Sequence, residues 1–234
     1  MPPSTPALDG QMKKDMKQVG RHRREESGSR NNLENMVWDV VGLQEGRSRY
    51  DGVVSVAPYH MIRAKATPHG DYGAEVWIHE RLLPDPANVI IVESTPRVLL
   101  VVLPWKVRVY VCSAHAPCGP TATEEHIAEW WSKFRALLRK STPKAAPLLL
   151  MIDTNKHLEI NNEESDDLTL HTRCGAHALA DILDDFCLRC PPFEAEGQPA
   201  PTFFGPRSSE RTLGFVAAPI AWKGDSYAVC DDLL

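Results

Sequence analysis

LLLMIDTNKHL, residues 148–158, sets five apolar residues directly against Asp153, with Asn155 two positions further on. An apolar run of this length bounded by polar residues reads as a buried strand. Side chains alternate along an extended chain. A spacing of two therefore puts the carboxylate and the amide on one side of the strand end, provided the extended geometry continues. Two other apolar runs end in the same manner: WDVVGL on Gln44-Glu45, and VRVYVCSA on His115. Strand ends are where sites tend to be built, because a rigid scaffold there meets an exposed loop. Taken singly, a strand-end carboxylate is more often a turn former or a helix cap. Taken together, a Glu, a His, an Asp and an Asn suit phosphoryl chemistry. Glu45 can ligate Mg²⁺, a hard cation that wants oxygen. Asp153 can position or deprotonate a water. Asn155 and His115 can hydrogen-bond phosphate oxygens as charge builds.

Working outward, VLLVVL (98–103), the turn-like PWK and VRVYVCSAHAP predict a hairpin whose first strand is fully buried. GAEVWIHERL (73–82) and NVIIVE (88–93) are β-rich through their Val and Ile. TATEEHIAEWWSKFRALLRK (121–140) predicts a helix, with Thr121 and Glu124 spaced as a capping box. Its Ile127, Trp130, Trp131, Phe134, Leu137 and Leu138 form one apolar stripe, so the tryptophans read as core rather than as a base-stacking platform. A second helix is predicted over 173–188 by the same periodicity. The order is strand-rich with interspersed helices, hence α/β or α+β.

Composition bounds the rest. A chain of 234 residues that is 43% apolar can bury a real core. Its net charge of −5 leaves no general attraction for nucleic acid, although a local basic groove remains compatible with it. The six cysteines are scattered and the N-terminus lacks a signal-peptide core. The expectation is free thiols, no membrane span, and a nuclear or cytoplasmic rather than secreted location. Residues 1–35 are basic and almost devoid of apolar side chains, which predicts a disordered tail ahead of a domain over 36–234. The same charge fits a nuclear-targeting or nucleic-acid-contacting arm. His171, Cys174, Cys187 and Cys190 have zinc-like spacing. The predicted helix between the pairs would hold them about 20 Å apart, too far for one ion. Cys187 and Cys190 alone have the spacing of a redox pair, without a thioredoxin-like context.

The polar clusters also carry a resemblance. The chain resembles the endonuclease/exonuclease/phosphatase superfamily, in particular the apurinic-type endonuclease domains of non-LTR retrotransposons. VVGLQEGRSR is similar to the first acidic motif of that family, VYVCSAHAP to its middle strand, MIDTNKHL to its Gly-Asp-x-Asn motif with Ile152 for the Gly, and PTFFGP (Thr202, Phe203) to a late Thr-aromatic element. The similarity runs from about Met36 to Trp222. It implies a two-sheet α/β sandwich of the DNase I-like type. It also implies Mg²⁺ (or Mn²⁺) on Glu45, a phosphate contact from His115, a water-orienting Asp153 and a phosphate-fixing Asn155. The implied activity is metal-dependent hydrolysis of DNA or another phosphodiester, with a reverse transcriptase region on the same parent polypeptide as the implied partner.

The departures imply an incomplete copy. No recognisable strand carries Asn31, Asn32 or Asn35 where the family opens with one, so the first strand is expected to be missing. The Asp of the family's Arg-Ile-Asp-Tyr motif falls on Gly214, and no His follows His177 although the family closes on Ser-Asp-His. Asp225, Asp231 and Asp232 lie in the closing stretch without a His neighbour, and the C-terminal strand is expected to be missing too. Losing a general acid or base typically costs about 10²–10⁴ in rate. Two classes follow: a weak or inactive metal-dependent nuclease, and a non-catalytic nucleic-acid-binding module that keeps the nuclease fold.

Overall fold

The computed structural model describes residues 39–117, 122–155, 176–190, 194–195, 198–199, 203–205, 209–211 and 214–222. The basic tail 1–35, the three early Asn residues, His171, Cys174, Thr202 and the closing Asp residues lie outside these. So do the segments on which a missing first strand and a missing C-terminal strand would be judged.

Two sheets stack into an α/β sandwich. The smaller holds β1 (Val40–Leu43), β2 (Gly52–Val56), β3 (Tyr59–Arg63) and β4 (Glu75–His79), antiparallel throughout in the order β1-β4-β3-β2. The larger is six-stranded. It is built from β5 (Ile90–Thr95), β6 (Val98–Leu103), β7 (Val109–His115), β8 (Leu148–Asp153), the short β9 (Leu188–Arg189) and a late strand, Gly214–Pro219. Two small hairpins precede that strand: β10 (Glu194–Ala195) with β11 (Gln198–Pro199), and β12 (Phe203–Gly205) with β13 (Ser209–Arg211). The late strand is therefore β14, and the large sheet runs β5-β6-β7-β8-β14-β9.

The double burial of β6 explains its unbroken run of Val and Leu, since both of its faces meet a core. Leu99, Val101 and Leu103 turn toward the small sheet, joining Ile62, Val76, Ile78, Val111 and Met151. Val98 and Leu100 turn the other way, joining Cys112, Ala114, Leu148, Leu150 and Ile152 under the helices. Those helices are α1 (Glu124–Ser141) and α2 (Ala176–Phe186).

Helix α1 buries Ile127, Trp131, Phe134 and Leu138, with Trp130 and Leu137 partly buried against the same core. It starts later than the sequence suggested. Thr123 is the N-cap, and its hydroxyl accepts from the His126 N–H at 3.2 Å. Glu124 and Glu125 then fill the first turn, where the dipole favours acids. The cap is thus Thr123, whose backbone is still extended, while the Thr121 of the expected capping box lies outside the described residues. Asp181 and Asp185 of α2 pair with Arg135 and Arg139 of α1, tying the two helices at their exposed rim. The hairpin β2–β3, turning through Ala57-Pro58, had no clear sequence signature. Its first strand alternates half-buried with exposed at an edge, so its apolar content is thin.

Candidate functional site

Strands β7 and β8 are the parallel neighbours of the large sheet, paired from Tyr110–Leu148 to His115–Asp153. Parallel strands end at the same edge, so His115 and Asp153 emerge side by side. Both continue the parity of Val111 and Met151, which face the seam between the sheets. The His115 Nε2 lies 3.7 Å from the Asp153 Oδ2, close enough for electrostatic pairing but too long for a hydrogen bond.

Asn155 reaches the site by a route other than strand alternation. The strand stops at Asp153, whose Oδ1 accepts the Asn155 N–H at 2.8 Å. That Asx turn places Asn155 at φ 52, a left-handed conformation that Asn tolerates better than most residues. The Asn155 Nδ2 then donates to the Ala116 carbonyl at 2.8 Å, while the Ala116 N–H donates to the Asp153 carbonyl at 2.8 Å. The amide is locked against the end of β7.

Glu45 arrives from the other sheet. Residue 42 is a glycine because an ideal Cβ there would sit 2.6 Å from the Met151 Cβ. With no side chain in the way, β1 lies directly on β8. Gln44 completes the seam: its Nε2 donates to the Ser113 Oγ at 3.1 Å and to the Met151 carbonyl at 3.3 Å. Ser113 in turn donates to the Leu43 carbonyl at 2.9 Å. The following Glu45 is exposed, at φ 60, and lies 3.6 Å from Arg47. Its charge acts on both His115 and Asp153, so it lies on their side of the seam.

Four of the five non-glycine residues with positive φ among those described are Glu45, Arg47, Tyr72 and Asn155. Such conformations gather at functional sites, where surrounding structure over-determines them. Gly46, between the first two, lies so close to the buried Glu75 that a Cβ would meet its Oε1 at 2.6 Å. Arg47 and Tyr72 are joined by the Arg47 N–H donating to the Tyr72 carbonyl at 2.9 Å. Tyr72 sets its ring edge-on to His115, with centroids 5.6 Å apart, and Arg97 rests 3.7 Å above the Tyr72 ring. Gln44 apart, these neighbours escaped sequence reading. Tyr72 and Arg97 stand in short turns without periodicity, and only the glycine after Tyr72 hinted at a special backbone.

Burial dominates the titration of the pair. It pushes the His115 imidazole below its ordinary pKa, and Arg97 adds to that, against opposing pulls from Asp153 and Glu45. It pushes the Asp153 carboxyl above the usual carboxylate range, helped by Glu45 and opposed by the Asn155 N–H and His115. At neutral pH His115 is therefore an uncharged imidazole. Its Nδ1 is buried without a hydrogen-bond partner. On its other side Asp153 pairs with Gly214, which brings no side chain where the family resemblance expected a carboxylate.

Among the described residues no three His, Cys, Asp or Glu side chains cluster as a metal cage. Mg²⁺ does not require one, since it commonly takes one or two carboxylates, water and substrate phosphate. The exposed Glu45 carboxylate beside the seam fits that mode. Of the cysteines, Cys187 is exposed and Cys190 is buried, and burial lifts the Cys190 thiol to about 12, far from a redox or metal-binding thiolate.

No family model matches the chain, and no curated protein does. Solved structures do. The catalytic domain of APE2 from Xenopus laevis is 11% identical, with 78% of this chain and 74% of that one covered at a TM-score of 0.53. An AP endonuclease from Archaeoglobus fulgidus is 13% identical, with 77% and 76% covered at 0.53. The endonuclease domain of TRAS1, a telomere-specific non-LTR retrotransposon, is 13% identical with 76% of each chain covered, but at 0.49 it carries no argument. Identities this low speak for the fold alone.

Proposed function

We propose that this chain, whose fold is that of the endonuclease/exonuclease/phosphatase superfamily, is a slow metal-dependent phosphodiesterase acting on DNA. The observation that carries the reading is the His115–Asp153 pair at the shared end of two parallel strands, with Asn155 locked beside it. Glu45 would hold a divalent metal, Mg²⁺ or Mn²⁺, which when bound withdraws charge from a phosphate oxygen.

The chain's own residues do the rest. Asp153, with a raised pKa, accepts a proton from the attacking water and orients it in line with the phosphorus. One N–H of the Asn155 amide is held by Ala116, which aims the other at a phosphate oxygen. Neutral His115 donates a hydrogen bond without competing for the metal charge. Gly214 leaves Asp153 without a carboxylate neighbour on β14, and the expected rate is low for that reason. The motif order LQE, SAHAP and MIDTN supports a retroelement origin, with a reverse transcriptase region on the same parent polypeptide. No helix among the described residues is long and apolar enough to cross a membrane.

The test is nicking of supercoiled plasmid with Mg²⁺, with Mn²⁺ and with EDTA. Slow, EDTA-sensitive nicking that vanishes in Glu45→Ala and Asp153→Ala is expected. Nicking that survives both substitutions refutes the assignment. Gly214 also favours a second reading, a nucleic-acid-binding module that keeps the fold without catalysis. DNA binding with no metal-dependent cleavage in any of these conditions would select it.

A further inference from the structure

Arg97 occupies the two-residue turn between β5 and β6, yet it is bonded to the end of β7. The His115 N–H donates to the Arg97 carbonyl at 2.9 Å. In return the Arg97 Nη1 donates to the carbonyls of His115 at 3.3 Å and Ala116 at 3.1 Å. The Ala116 carbonyl is the same oxygen that holds the Asn155 Nδ2 at 2.8 Å. The guanidinium carbon lies over the Tyr72 ring, 3.7 Å from its centroid, and that ring itself meets His115 edge-on. One planar cation thus braces the backbone of His115, the acceptor of Asn155 and the ring against His115.

A solvated surface arginine would not be so engaged. Holding a long side chain in one place costs up to about 2 kcal/mol of rotamer freedom, and here two acceptors and one aromatic face offset it. The geometry also separates Arg97 from a simple phosphate binder. Its Nη1 is spent on main-chain oxygens within the protein, and its guanidinium carbon sits over the Tyr72 ring.

We infer that Arg97 is a positioning residue, acting through the His115 backbone and the Asn155 amide. The inference rests on the phosphodiesterase reading given above for these two side chains. A lysine could supply the charge but neither the flat face nor a fixed fork, so charge and shape can be told apart.

The test compares the full chain with Arg97→Lys and Arg97→Gln. Binding of a fluorescein-labelled DNA duplex is followed by anisotropy in Ca²⁺, and single-turnover nicking in Mg²⁺. The side-chain amide of Asn155 is followed by ¹⁵N correlation spectra, assigned by its loss in Asn155→Asp. Expected in both variants are unchanged duplex affinity, nicking slowed about 10- to 100-fold, the scale of a small misplacement of a reacting group, and a shifted Asn155 amide exchanging faster with water. The Asn88 amide, held separately by Asp85, should not move. Weakened duplex binding with an unchanged nicking rate would overturn the inference and make Arg97 a direct phosphate contact. An unshifted Asn155 amide in both variants would overturn it as well. If the unaltered chain shows no EDTA-sensitive nicking, the catalytic reading fails and the amide spectrum alone decides the role of Arg97. Should either variant fail to fold, Tyr72→Leu removes the supporting face and is expected to give the same amide shift. Its absence there refutes the brace.

Discussion

Gly42→Ala tests whether the two sheets meet as closely as the site requires. A Cβ at residue 42 would lie 2.6 Å from the Met151 Cβ, 2.7 Å from its Sδ and 2.9 Å from its Cε. Carbon atoms settle at about 3.5–4.0 Å, so the seam must open by roughly 1 Å. Met151 cannot rotate away, because the nearest of the three atoms is fixed to the backbone of β8. Overpacking of this kind costs about 1–3 kcal/mol. An opposing effect comes from the unfolded chain, which loses freedom when Gly becomes Ala, worth about 0.4–1 kcal/mol in favour of folding. Gly42 is not among the positive-φ glycines, so nothing else penalises the alanine. The clash wins, leaving a net loss of about 1.5 kcal/mol. For a chain of this size that lowers Tm by about 3–6 °C. Urea denaturation and thermal melts followed by circular dichroism measure it. A variant as stable as the parent, or stabilised by the unfolded-state effect alone, would refute the close packing of β1 on β8.

Other consequences are open to measurement. Burial holds the Asp153 carboxyl above its ordinary pKa, so the folded state loses stability as pH rises from about 4 through that raised value. Asp153→Asn escapes the loss and should melt higher than the parent at pH 7, with the gap closing toward pH 3, while nicking falls by about 10²–10⁴. A variant less stable at pH 7 would contradict the burial cost. Asp185 is the opposite case: Arg135 and Arg139 hold its carboxyl well below the usual carboxylate range, so its contribution is complete above about pH 4 and fades as pH falls further. Asp185→Asn should cost about 1 kcal/mol at pH 7, measured by urea denaturation, and clearly less at pH 2, where part of the advantage of the paired carboxylate is already lost. Glu45→Gln should weaken the Mg²⁺ dependence of nicking without lowering Tm, since the side chain is exposed; a melt lowered by several degrees would give Glu45 a structural role instead.

What the sequence discloses here depends on how each feature is encoded. The burial of β6 and the stripe of α1 are written in apolar periodicity, because many residues repeat one physical demand. His115 and Asp153 stand out because each interrupts an apolar run at its end. The adjacency of Asp153 and Asn155 was legible, but its cause was not: a side-chain-to-backbone turn, rather than alternation, presents the amide. Tyr72 and Arg97 are placed by hydrogen bonds to segments far apart in sequence, Arg47 for the one and the end of β7 for the other, and no local pattern records such bonds. That Thr123 caps α1 was hard to foresee for a related reason, since the helix start turns on one residue's dihedral angles.

The parallel pairing of β7 with β8 also sets a timetable. An antiparallel pair can zip from its turn within microseconds, but a parallel one must wait for its connection to close. Here that connection contains all of α1, so the hairpin β5–β6 can form while His115 still has no partner. The chemistry of the site is thus a late product of folding, absent from any early collapsed form. Pulse-labelled hydrogen exchange should find β6 amides protected before those at the end of β8; simultaneous protection would remove the delay.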